Sequence, residues 1–174
     1  TDGLPVQGGE NRSDSKTLTV ILQGVIDAPT MAASADWSFD ANNLTITNTT
    51  THFEDNNVPL NFEIITSDDD GSEIISLTIT GFPEGFSLVD GVGDDADLQV
   101  IGFESGLPVY SVTPSQLQAL FVKPDNDFSG KLNFQITAIT TEPDGDSGEF
   151  PIDVEILLNP VVDENAASLN TSSI

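Results

Sequence analysis

The residues with the most chemistry to offer are carboxylates, gathered where strands would end. Phe53-Glu54-Asp55 makes one knot and Ser67-Asp68-Asp69-Asp70-Gly71-Ser72-Glu73 makes a second. Hard cations such as calcium bind about six to eight oxygens converging from loops. Glu54, Asp55, Asp68, Asp70 and Glu73 are candidate donors, with Gly71 free to make a sharp turn among them. The plainer alternative is that the same acids are solvated turn residues with no ligand. Two calcium patterns of fixed grammar do not fit. An EF-hand loop with its glycine at Gly71 would end on Leu77, where a bidentate glutamate is required. The nonapeptide calcium repeat needs tandem copies, and Gly91 to Leu98 offers at best one imperfect copy. A cation site in this chain must be assembled from separate loops.

Strands are the elements that would position such loops. Between the two knots, Val58, Leu60, Phe62 and Ile64 alternate with other residues and predict one strand with one buried face. Trp37-Ser38-Phe39-Asp40 and Leu44-Thr45-Ile46-Thr47 read as short strands around an Asn42-Asn43 turn. Ile75 to Thr80 alternates cleanly, and Leu98 to Phe103 and Pro108 to Val112 are further strands near the acidic turn Asp90 to Asp97. Leu132, Phe134, Ile136 and Ala138 mark a long strand, as do Ile152, Val154, Ile156 and Leu158, with the carboxylate-laden turn Glu142 to Glu149 between them. One helix is expected, from Thr113 as N-cap, Pro114 at the first helical position and Gln116 to close a capping box, with Leu117, Leu120 and Phe121 as its apolar stripe. Many short strands with one brief helix predict an all-β, antiparallel Greek-key β-sandwich.

The chain also repeats itself at domain length. Lys16 to Gln23 predicts a strand that leaves through Gly24-Val25-Ile26-Asp27, and Val154 to Leu158 leaves through Asn159-Pro160-Val161-Val162-Asp163. Residues 1–27 therefore read as a flexible lead-in plus the last strand of an upstream domain, 28–163 as the complete sandwich, and 164–174 as a linker to the next domain.

Charge and composition exclude several functions. In 174 residues, 29 Asp and Glu face 4 Lys and Arg, for a formal net charge of -25. No basic patch is available for nucleic acid or anionic lipid. Self-repulsion of that size opposes a compact state unless counter-charge arrives, and divalent cations supply it. Cysteine is absent, so neither disulfides nor thiolate zinc can stiffen the fold. No apolar run is long enough to cross a membrane and the start has no signal-peptide pattern, which suits a soluble excerpt or mature segment. His52 is the only histidine, no nucleophile motif accompanies it, and the expectation is that the chain is not an enzyme.

Taken together, Val25-Ile26-Asp27-Ala28-Pro29, Glu54-Asp55 before Val58-Pro59-Leu60, Ser67 to Glu73, Ile79-Thr80-Gly81-Phe82-Pro83-Glu84-Gly85, Thr113-Pro114-Ser115-Gln116-Leu117 and Thr140-Thr141-Glu142 with Asp146 resemble a repeat of the giant RTX adhesins of Gram-negative bacteria. The resemblance covers about Asp27 to Asp163. It implies a cadherin-like or immunoglobulin-like extender domain, strung between neighbouring repeats of one extracellular, type I secreted, cell-surface polypeptide, with calcium at the junctions. It further implies one pole at which Asp27, Glu54, Asp68, Asp70 and Glu73 share calcium, with Asp163 and Glu164 serving the next junction. The alternative within the same kind of protein is a calcium-dependent glycan- or peptide-binding module, or a split domain flanking one. Asp94, Asp95 and Asp97 with Trp37 or Tyr110 would then recognise the ligand, although two aromatics at strand spacing, such as Trp37 and Phe39, are more often core.

Overall fold

The computed structural model describes residues 15–20, 25–67 and 71–162. In chain order its strands are β1 (Thr30–Met31), β2 (Trp37–Asp40), β3 (Thr45–Asn48), β4 (His52–Phe53), β5 (Val58–Pro59), β6 (Ile64–Ile65), β7 (Ile74–Thr80), β8 (Ser87–Val89), β9 (Gln99–Glu104) and β10 (Leu107–Val112). Helix α1 (Pro114–Ala119) comes next, then β11 (Phe121–Lys123), β12 (Gly130–Thr141) and β13 (Ser147–Asn159).

The frame is the antiparallel pair β12 and β13, in register from Gly130 opposite Leu158 to Thr141 opposite Ser147. Alternation puts Leu132, Phe134, Ile136 and Ala138 of one strand and Ile152, Val154, Ile156 and Leu158 of the other on one side, all buried. Around this pair the large sheet runs β2-β3-β13-β12-β7-β10-β9, with β4 added beside β13. The second layer is β5-β11-β8 together with the pair β1-β6. One continuous core joins the layers, from Trp37 and Phe62 to Phe82 and Phe134. The molecule is an all-β sandwich with one short helix.

Several details depart from the sequence reading. The sheet is not wholly antiparallel: β3 and β4 run parallel to β13, because the chain climbs beside β13 before it crosses to the other layer. The strand expected over Val58 to Ile65 is divided. Val58, Leu60, Phe62 and Ile64 are all buried as the alternation requires, but β5 pairs with β11 whereas β6 pairs with β1. Pro59 cannot donate to a ladder, and the Leu60 amide instead bonds the Leu120 carbonyl at 2.8 Å. The strand expected from Lys16 is absent over residues 16–20, where Leu18 and Val20 stand exposed with no sheet to bury them; residues 21–24 lie outside the described residues. Finally, the acidic turn precedes both β9 and β10, which pair with each other through Ser105 and Gly106, both at positive φ as a two-residue hairpin turn demands. The helix starts as its sequence predicts but stops short of the expected stripe: Leu117 is buried within it, whereas Leu120 is its extended C-cap and Phe121 opens β11. The Thr113 side chain accepts the Gln116 amide and the Gln116 side chain accepts the Thr113 amide.

Candidate functional site

The β7–β12 ladder ends with Ile74 opposite Thr141. One step further, the register sets Glu73 across from Glu142 on the side that faces the core. Both are buried, at 8% and 7% exposure. Directly opposed like charges destabilise a strand pair, and burial removes the water that would screen them. Glu73 Oε1 accepts the Asp27 amide at 3.2 Å, so the chain arriving before β1 is tied to this end of the sandwich. Among the described residues its buried Oε2 has no hydrogen-bond partner, nor has the hydroxyl of Thr140, the next inward residue on β12. Ser67 Oγ donates to the Ala28 carbonyl at 3.0 Å, so Ser67 lies against the same incoming segment, and Gly71 turns at a φ of 72° two residues before Glu73. The hairpin that joins β12 to β13 closes this end, with the Glu142 amide bonded to the Asp146 carbonyl at 2.8 Å.

A second buried glutamate occupies the other end of β13. Glu54 is 6% exposed, and β4 carries it alongside Leu158 and Asn159. Its amide donates to the Asn159 carbonyl at 3.0 Å, and its Oε1 accepts the Val161 amide at 2.7 Å. The departing chain is thus held as the arriving chain is, by a buried carboxylate on a backbone N–H. β13 has 13 residues, so the two ends lie on the order of 40 Å apart at about 3.3 Å per residue.

This separation corrects the single pole that the resemblance implied. Asp27 and Glu73 meet at one end, while Glu54 and its exposed neighbour Asp55, at a φ of 70°, stand at the other, because β4 follows β13 outward before the chain turns back. Asp68, Asp70 and Asp163 lie outside the described residues. Among the described residues, no three carboxylate or imidazole side chains converge on one point. Thr140 and Glu142 stand in the Thr140-Thr141-Glu142 motif, but the sequence reading does not place them among the site residues. Counting along β12 from Ile136 and Ala138 by twos reaches both.

The remaining candidates sort by burial. Trp37 is 2% exposed, edge-on to Phe62 at 4.9 Å between ring centroids, and its Nε1–H donates to Asn61 Oδ1 at 2.9 Å; it is a core residue with no face for a sugar. Tyr110 and Asp95 line one surface hollow. The carboxylate of Asp90 accepts the amides of Val92 and Asp94, so that acid organises its own turn. His52 is half-buried beside Thr50 Oγ1 at 3.2 Å, and burial holds its pKa below the ordinary 6.5 against the opposing pull of Asp36. No family model, curated protein or solved structure matches the chain.

Proposed function

We infer that the chain is a calcium-stabilised extender domain, a stiff spacer of the kind found in the RTX adhesins that its motifs resemble, placed outside the cell between neighbouring repeats of one polypeptide. The observation that carries this reading is the pair of buried glutamates at opposite ends of the large sheet, Glu73 holding the arriving backbone and Glu54 the departing one. A spacer must transmit force and direction from one junction to the next, and two ends tied to one continuous sheet, through β7 and β12 at one end and β13 at the other, do so without a hinge. Calcium supplies what the near end lacks. A cation there would engage Glu73 Oε2, offset the opposed charges of Glu73 and Glu142, and draw on Asp27, with Asp68 and Asp70, which stand between Ser67 and Gly71 in the sequence, as further donors. Loop-derived ligands put the affinity in the range of extracellular modules, roughly 0.1–1 mM.

Calorimetric titration of the protein and of Glu73→Gln with calcium tests this reading. The parent should bind in that range, and removing one charged ligand should weaken the tightest site by about ten-fold or more. Equal affinity in both proteins would remove Glu73 from any calcium site and with it the basis of the assignment.

A further inference from the structure

The large sheet ends in β9, and among the described residues no strand pairs with its outer edge. Such an edge offers a row of unmade backbone hydrogen bonds, and the sequence of β9, Gln-Val-Ile-Gly-Phe-Glu, has neither the lysine nor the proline that usually guards one. Cross-strand partners share a face, so Val100 lies on the side of Tyr110 and Phe103 on the side of Pro108. Tyr110 packs against the core, and Pro108, two residues before it, shares its face. Val100 and Phe103 are three residues apart and share that face because the register steps past Ile101, as at a bulge. Even so, Val100 is 46% and Phe103 75% exposed. They are core-side residues with no strand beyond them. At the opposite edge of the sheet, Trp37 and Phe39 of β2 are packed into the core and leave no such pair uncovered.

The molecule also holds the converse, a strand sequence without a sheet. Lys16-Thr17-Leu18-Thr19-Val20 alternates threonine with apolar residues, a composition suited to a half-buried strand. Yet it pairs with nothing, and Leu18 and Val20 are 84% and 68% exposed. Laid antiparallel to β9 and stepping past Ile101 as β10 does, this segment sets Val20 beside Val100, Thr19 beside Gly102, Leu18 beside Phe103 and Thr17 beside Glu104. The four exposed apolar side chains then cover one another on the core side, and the threonines face out. Charge agrees with this placement. Residues 15–20 carry one charged group, the cation Lys16, and β9 carries one, the anion Glu104, so opposite signs meet although each chain is strongly acidic.

Reach decides which chain donates the segment. Asp27 is tied to Glu73, at the end of β7. Level with Val100 along the sheet is Ile79, through Tyr110. From Glu73 to a strand beyond β9 at that level is six residues along and three strand spacings across, roughly 24 Å at about 3.3 Å per residue and 4.8 Å per strand. The seven residues from Val20 to Asp27 span that only when drawn fully straight, at roughly 3.3–3.6 Å each. A second copy meets no such limit.

We propose that β9 takes up residues 16–20 of a second copy of this chain as an added antiparallel strand. Donor and acceptor are different surfaces, so the contact is heterologous and joins copies in series or as a reciprocal pair. None of the carboxylates assigned to calcium takes part, and the contact does not require the cation.

The chain has no cysteine, so introduced thiols report the register directly. One protein carrying Leu18→Cys and another carrying Phe103→Cys are mixed under mild oxidation, at about 150 mM salt so that repulsion between the chains is screened. The mixed disulfide dimer should form at least about ten-fold faster than with Thr19→Cys in place of Leu18→Cys, because pairing concentrates only thiols that share a face. Rates should be the same in EDTA and in calcium. Leu18 and Phe103 are exposed, so neither substitution disturbs the fold, checked by unchanged melts. Equal rates in the two mixtures, or no mixed dimer, would overturn the proposal. A disulfide closing within single chains that carry both Leu18→Cys and Phe103→Cys, at a rate independent of protein concentration, would overturn it as well by placing the strand on its own sheet.

Discussion

At the scale of single residues, two buried glutamates stand across from one another where β7 and β12 end. Glu73 and Glu142 face one another on the core side of adjacent strands, and among the described residues Glu73 keeps one oxygen without a partner. Glu73→Gln should therefore have opposite effects under two conditions. In EDTA it removes a like-charge contact and should stabilise by up to about 1 kcal/mol, a shift of roughly 2–4 °C in the melt of a chain this size. In millimolar calcium it removes a ligand and should melt below the parent. A lower midpoint under both conditions would make Glu73 a structural hydrogen-bond acceptor and nothing more. His52 adds a pH dependence of definite sign. Its folded pKa lies below 6.5, so the unfolded chain takes up a proton more readily, and stability should fall as pH drops from about 7 to 5. His52→Asn should flatten that part of a stability profile. The acids were legible in the sequence because carboxylates beside glycine have few other uses. The facing of Glu73 and Glu142 was not, since it depends on a register between strands about seventy positions apart, which no local pattern fixes.

At the scale of elements, local signals were legible and pairing was not. Thr113, Pro114 and Gln116 specify a helix start by themselves, and α1 begins as they require. Thr113→Ala should cost about 1 kcal/mol in denaturant melts, the value of one cap. The inward positions of Val58 to Ile64 were legible from alternation, whereas the division of that segment between β11 and β1 was not, because it turns on where Pro59 forbids a ladder bond. Gly148 shows the same limit. It opens β13 where the arriving chain crosses, and a Cβ there would lie 2.6 Å from Ile26 Cγ2 and 3.1 Å from the Phe150 ring. Gly148→Ala should loosen the segment before β1 without unfolding the sandwich. Faster hydrogen exchange at the Asp27 amide, with the β12 amides unchanged, is the expected result.

At the scale of the whole molecule, a chain with a net charge of -25 forms one sandwich whose two ends each grip a chain segment through a buried carboxylate. The sandwich class was legible from alternation and turn spacing. The two-ended layout was not, because Glu54 and Glu73 are near in sequence and only the path of β4 along β13 sends them apart. If calcium completes the ends, its binding to the folded state alone must raise stability with its concentration. Thermal melts in excess EDTA, in millimolar magnesium and in millimolar calcium test this most directly. At calcium levels about a hundred times the dissociation constant, the gain should approach 3 kcal/mol, or roughly 5–10 °C, with little gain in magnesium. Midpoints that coincide in EDTA and calcium would leave the buried glutamates as backbone clasps alone and contradict a calcium-stabilised spacer.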